Sequence, residues 1–290
     1  MSVDFKWVTR AYSELYNAPS GRLNYWRNAI FFGEPIDSYR DPGFINYIFT
    51  QQIANALPDR ECVIADFGCG DGHVIQTVVS QLGQPEDRRV LPIGIEVDGA
   101  ALRKMKEKAS GVQPVRGDLL DVPFDPKAFH AGILRFVLPF IGKDDQLLAL
   151  KQIHNVLKDG AVLVILNDGV LKESKMAEDY KTLFAECAAH EGFSNMHYLS
   201  GESLIVLADK AGFDVEAAVD LTDIVFGYLS PESFARAAQL TPEKRRSLEA
   251  VFKACKQENV LPFEPDPDSL RVLHPMYTCV LKKRRSAPLP

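Results

Sequence analysis

The chain carries the stretch Asp66-Phe67-Gly68-Cys69-Gly70-Asp71-Gly72-His73 directly after the apolar run Cys62-Val63-Ile64-Ala65. A strand that runs through glycines into a helix presents backbone N–H groups, and such a turn usually serves an anion. A dinucleotide loop would need a third glycine at position 73, where helix and strand pack closely, and a histidine stands there instead. Asp66 and Asp71 bracket the turn with negative charge, which opposes a pyrophosphate at close range in a partly buried site. A tight strand-to-helix turn with Asp71 as its capping residue is the plainer alternative.

A ligand that offers a carboxylate to the N–H groups and positive charge to the acids removes the conflict. S-adenosylmethionine has both, since it lacks phosphate and carries an ammonium and a sulfonium. The next apolar run, "VLPIGIEVD", ends in Glu96, Val97 and Asp98. A carboxylate at that strand end can accept both hydroxyls of a ribose, as in dinucleotide folds where an acid follows the loop by about 20 residues. Here Glu96 lies 28 residues after Gly68, and the polar insert "GQPEDRR" explains the excess. Asp98 reads better as the N-cap of a helix starting near Gly99. Further on, in "RGDLLDVPF", Asp118 is either a turn aspartate or an acceptor for an adenine amino group, with Leu119 packed on the purine face.

These residues need a scaffold, and the pattern around them supplies one. From about 60 to 170 short apolar runs alternate with amphipathic ones, as in a Rossmann-like α/β sheet with helices on both faces. Strands are predicted at 62–67, 90–97, 113–117, 131–138 and 161–167. Ile75, Val78, Val79 and Leu82 predict a helix with one buried stripe. Leu147, Leu150, Ile153 and Leu157 repeat that spacing more loosely, and Gly160 suits a left-handed C-cap after them. "GESLIVLADKAG" predicts a short helix from Gly201 closed by Gly212. Strands in "FDVEAAVDL" and in "MYTCVLKK" at 276–283 bring the total to seven.

Two segments fall outside the alternation. Residues 1–57 are aromatic-rich without a clear strand and are expected to form a helical cap; 222–268 carry a polar helix and a proline-rich loop, expected as a lid inserted between strands six and seven. The core then spans 58–284 and a tail 285–290. A net charge of −6 argues against a duplex-binding surface. The basic run "KKRR" at 282–285 reads as a solvated end after the last strand, with a targeting or nucleic-acid tag as the alternative. Five cysteines without a C-x-x-C pair fit reduced cytoplasmic thiols. The longest apolar stretch, "AGILRFVLPFIG", is about half the roughly 20 residues a spanning helix needs, and "MSVDFKWVTR" lacks a signal-peptide core. The expectation is a soluble cytoplasmic monomer or homodimer with no nucleic-acid or membrane partner and no metal.

Taken in order, "VIADFGCGDG", "GIEVD", "GDLLDVPF", "FHAGILRFVLPFI" and "VLKDGAVLVILND" resemble the motifs of the class I S-adenosylmethionine-dependent methyltransferases. The resemblance implies a sheet whose last strand is inserted antiparallel, with cofactor and substrate at the carboxyl ends of the strands. It also implies that Gly68, Gly70 and Asp66 serve the methionine part, Glu96 and Val97 the ribose, and Asp118 and Leu119 the adenine. Arg135 and Phe136 would face the methionine part and the start of the acceptor pocket. Arg135 departs from the small or apolar residue usual there: either it pairs with the cofactor carboxylate or only its backbone counts. "RFVLPF" replaces the "NPPY" of base and glutamine methylators, and Pro139 stands where many relatives carry a histidine. The segment order is similar to small-molecule enzymes such as histamine N-methyltransferase.

The implied reaction moves a methyl group to nitrogen or oxygen of a small aromatic or amine-bearing metabolite. Carbon methylation, and a binding fold kept as scaffold or cyclising catalyst, are the alternatives. A base is needed only for a protonated acceptor. His197, after strand five, is the leading candidate against an ordinary loop histidine. Tyr25 and Trp26 are lid candidates or core-packing aromatics; Asp168 and Tyr228 complete the expected pocket.

Overall fold

The computed structural model describes residues 42–58, 61–82, 89–173, 197–221 and 275–285, with two short strands and single helical positions between 178 and 273. Apolar alternation produces the expected sheet. Strands β1 (Cys62–Phe67), β2 (Val90–Glu96), β3 (Gln113–Arg116), β4 (Phe129–Arg135), β5 (Leu157–Asp168) and β6 (Phe213–Asp220) precede two-residue β7 (Tyr228–Leu229) and β8 (Val272–Leu273) and then β9 (Met276–Lys283). The main sheet runs β3-β2-β1-β4-β5-β9-β6, while β7 and β8 pair apart from it. Strands β1 to β5 are parallel, and β9 lies antiparallel to both β5 and β6.

The helices are α1 (Pro42–Ile45, a π-turn Asn46–Thr50, then Gln51–Ala56), α2 (His73–Leu82), α3 (Gly99–Lys108), α4 (Gln146–Val156) and α5 (Gly201–Ala211). Helix α1 sets Ile45, Phe49 and Ile53 into one core with Ile64 of β1, Ile133 of β4 and Val164 of β5. The opposite face holds Phe67, Leu134, Leu163 and Ile165 under α4 and α5. Thr50 Oγ1 donates to Gln81 Oε1 at 2.7 Å and Gln81 Nε2 to the Pro42 carbonyl at 2.6 Å, so polar bonds as well as burial join α1 to α2.

Two predicted details change. Strand β4 stops at Arg135 instead of 138 because Phe136 adopts φ +53°, a left-handed backbone that no strand continues through. Leu138–Phe140 then form a 3-10 turn. Gly160 is not a C-cap: α4 ends at Val156, and Gly160, at φ +77°, lies inside β5, which begins at Leu157 opposite Phe129. Asp98 does cap α3, accepting from Ala100 and Ala101 N–H, and Gly212 closes α5 at φ +99°. Among the described residues no helix is long and apolar enough to cross a membrane.

Tyr277, wholly buried in β9, donates its hydroxyl to the Leu199 carbonyl at 2.8 Å and accepts from Asn167 Nδ2 at 3.1 Å. Tyr277→Phe strands both partners in the core. Urea unfolding should report a loss of about 1–3 kcal/mol.

Candidate active site

The loop after β1 is built on positive φ: Gly68 +75°, Gly70 +56° and Gly72 +75°. Only glycine enters that region without strain. Gly68 is also hemmed in, since a Cβ there would sit 2.5 Å from Val137 Cγ2. The left-handed Phe136 turns the chain out of β4 and brings Val137 over the loop.

Four loop N–H groups are engaged within the protein. Gly68 and Cys69 donate to the Ile95 carbonyl at 2.8 and 3.1 Å, Gly72 to the Cys69 carbonyl at 3.0 Å, and Gly70 to Glu96 Oε2 at 3.0 Å. The expectation that the loop amides wait for an anion therefore fails at these positions. The loop is instead tied to the end of β2. Glu96 is the tie, because its Oε1 also accepts from Val97 and Asp98 N–H at 2.8 and 3.1 Å. Val97 itself is half-buried.

Charge dominates the surroundings. Asp66, Asp71, Glu96 and Asp98 are all buried around the loop. Burial raises the Asp66 carboxyl to about 7 against the lowering pull of Arg135, and Glu96 and Asp71 add to the rise. At the end of β5, burial raises Asp168 to about 8, again opposed by Arg135. Glu96 is also shifted upward by burial, held back by its three backbone N–H donors. A pyrophosphate would meet several buried carboxylates here; a cation would be welcome.

The remaining predicted residues gather at the same end of the sheet. Gly117 N–H donates to the Glu96 carbonyl, which sets the β3 end and Asp118 beside β2. Asp118 is half-buried, and its Oδ1 accepts from Leu120 N–H at 2.9 Å, so one oxygen shapes its own turn. Leu119 is buried with Ile95 and Leu134. Arg135 and Phe136 close β4, with the guanidinium 5.7 Å from the Phe136 ring centre. His197 is half-buried, and its N–H donates to the Pro139 carbonyl at 2.8 Å, bringing it to the segment that follows β4. Tyr198 beside it accepts from Val170 N–H at 2.9 Å and pins the turn after Asp168. Tyr228 pairs by its backbone with Leu273, and its side chain, like Tyr25, Trp26 and the greater part of the 222–268 lid, lies outside the described residues. Sequence reasoning passed over Val137, for which an apolar residue after a strand gives no signal. It also passed over the buried contact of Cys69 Sγ with Met105 Sδ, 3.5 Å apart under the loop.

The ligand-free pH dependence follows. Asp66 and Asp168 hold protons in the folded state at pH values where the unfolded chain, with carboxyls near 3.8, has lost them. Their contribution to stability is therefore full below about pH 4 and falls as pH rises through about 7 and 8. The melting temperature of the ligand-free chain should drop between pH 5.5 and 8.5, and Asp168→Asn should flatten the slope.

An open parallel sheet with one antiparallel insertion and an acidic glycine loop at the carboxyl end of β1 define the class I methyltransferase fold. Residues 64–160 match the protein-family model described as "Methyltransferase domain". Residues 64–160 are thus similar to a methyltransferase domain, and the described core has the fold of the class I enzymes. No curated protein matches the sequence. A Bacillus halodurans C-125 structure described as a methyltransferase is similar at 18% identity, covering 84% of this chain and 99% of its own, with a TM-score of 0.64. The [4+2]-cyclase SpnF is 16% identical over 96% and 97% of the two chains, TM-score 0.57. The geranyl diphosphate C-methyltransferase of Streptomyces coelicolor A3(2), bound to Mg2+, geranyl diphosphate and S-adenosylhomocysteine, is 15% identical over 81% and 78%, TM-score 0.50. At these identities the likeness concerns the fold.

The residues fit the cofactor. Buried acids suit its ammonium and sulfonium, and Gly68 without a Cβ lets Val137 close onto the loop. Among the described residues no His, Cys, Asp and Glu group is placed to hold a metal ion.

Proposed function

We propose that the protein methylates nitrogen or oxygen of a small aromatic or amine-bearing metabolite in the cytoplasm. The observation that carries this reading is the set of buried carboxylates around the glycine loop, a setting suited to a cationic nucleoside and hostile to phosphate. The bound cofactor supplies a methyl carbon already activated by the sulfonium. The chain's own residues then have three tasks: to hold, to align and to keep water out. Asp66 and Gly68 flank the methionine end, Glu96 with Val97 the ribose edge, and Asp118 with Leu119 the adenine.

Phe136, locked in its left-handed turn, and Arg135 line the boundary between cofactor and acceptor. Alignment of this kind accounts for roughly 7–11 kcal/mol of barrier, so a base is optional. His197, tied to the segment after β4, is the residue proposed to take a proton from an acceptor that arrives protonated. Asp168, with Tyr25, Trp26 and Tyr228 from the cap and lid, completes the proposed acceptor pocket.

Methyl-tritiated cofactor incubated with the protein and a metabolite extract tests the reading. Label in a small organic product supports it, and the position of the label separates nitrogen or oxygen from carbon. Cofactor binding without label transfer would overturn it in favour of the non-methylating use of the fold that the cyclase exemplifies.

A further inference from the structure

Glycine inside a strand usually weakens it, yet Gly94 stands within β2, paired with Asp66 of β1 on one side and Pro114 of β3 on the other. It is not among the glycines with positive φ, so the position needs space and not a special backbone. A Cβ on Gly94 would sit 2.7 Å from Met105 Sδ, 2.8 Å from Cys69 Sγ and 2.9 Å from Met105 Cε. Gly72 of the loop makes room for the same side chain, since a Cβ there would lie 2.5 Å from Met105 Cγ and 2.8 Å from its Sδ. One glycine of the loop and one of β2 thus frame a single thioether.

Local structure delivers Met105 to that slot. Asp98 caps α3, and Met105 lies two helical turns further on, in the buried stripe with Ala101 and Leu102. Long side chains on a helix lean toward its N-terminus, and the N-terminus of α3 follows the carboxyl end of β2, where the loop is tied. Met105 is wholly buried. The Cys69 thiol above it stays protonated, because burial holds it well above its ordinary range, and its acceptors are Met105 Sδ at 3.5 Å and the Gly70 carbonyl at 3.8 Å.

We propose that Met105 is a positioning residue of the cofactor site: with the Cys69 thiol it fills the slot between Gly72 and Gly94 and holds the loop where Gly70 N–H meets Glu96. Helix α3 then acts on the site at two points, through Asp98 N–H on Glu96 Oε1 and through Met105 beneath Cys69 and Gly72. A shorter side chain lets the loop sink toward β2, which draws Gly70 off Glu96 and disturbs the methionine and ribose contacts together. This inference rests on the methyltransferase reading of the same loop.

Calorimetric binding of S-adenosylhomocysteine to the full chain, read beside urea midpoints, tests it. Met105→Ala should raise the dissociation constant by about tenfold or more, whereas Leu102→Ala, in the same buried stripe, should lower the urea midpoint and change the dissociation constant by less than about twofold. Gly94→Ala pushes on the same sulfurs from the other side and should weaken binding as well. Combined with Met105→Ala, it should bind more tightly than the product of the two single effects, because its methyl enters space that the shortened side chain has left. Equal losses of affinity in Met105→Ala and Leu102→Ala overturn the proposal, as does strict additivity of Gly94→Ala with Met105→Ala. If Met105→Ala does not fold, Met105→Leu decides: this swap keeps the volume but ends in a branch that does not thread the slot, so affinity should fall severalfold at a nearly unchanged urea midpoint, and unchanged affinity overturns the proposal. A native chain that does not bind S-adenosylhomocysteine is a different result, which removes the cofactor reading itself.

Discussion

Glu96→Gln should both unfold at lower urea and lose most of its affinity for S-adenosylhomocysteine. The two carboxylate oxygens accept three backbone N–H groups, from Gly70, Val97 and Asp98. A glutamine amide keeps one acceptor oxygen and turns an NH2 toward Gly70 on one side or toward Val97 and Asp98 on the other. Either orientation leaves a buried donor facing a donor, at about 1–3 kcal/mol for each group left unsatisfied. The bonds lost are charge-assisted, which puts the expected total at about 2–4 kcal/mol. Cofactor affinity should fall by more than about tenfold, because the loop is released from β2 and the proposed ribose acceptor is weakened together. An unchanged urea midpoint would show that Glu96 does not hold the loop.

Gly68→Ala is expected to do comparable damage by a different route. At φ +75° an alanine costs about 1–2 kcal/mol in backbone strain alone. Its Cβ would also meet Val137 Cγ2 at 2.5 Å, and overpacking of this sort typically adds about 1–3 kcal/mol. The two contributions separate in a double-mutant cycle. Val137→Ala should recover the steric part in the Gly68→Ala background and leave the strain part untouched. Strict additivity of the two substitutions would mean that Val137 is not what confines the loop.

The parts of this architecture that follow from local periodicity could be read from the chain. Alternating apolar runs placed all seven strands of the main sheet, and the i, i+3, i+4, i+7 stripe placed α2, because burial on one face leaves a direct trace in residue order. Asp98 and Gly212 were equally readable, since capping chemistry is local. What escaped was set by contacts between distant segments. Nothing in "RFVLPF" announces that Phe136 turns left-handed, because that conformation is imposed by its bond to the Leu166 carbonyl and by the docking of Val137 on Gly68. Gly160 carried the right backbone requirement but the wrong neighbour, a β-strand in place of a helix end. Glu96 was picked out for a ligand, yet its hydrogen bonds also make it the brace of the loop, a role that depends on β1 and β2 lying side by side. The loop amides were read as waiting donors because sequence shows where N–H groups are and not where carbonyl oxygens will be.

The placement of β9 bears on how the chain is made. Strands β5 and β6 do not pair with each other; each bonds to an opposite side of Met276–Lys283. Until those residues leave the ribosome, two strand edges face a gap in the middle of the sheet, and β6 has no pairing partner in it. A nascent chain halted before position 276 therefore carries raw edges open to misassociation, and cooperative folding awaits the final strand. Chaperone dependence during synthesis should end abruptly at that point in elongation.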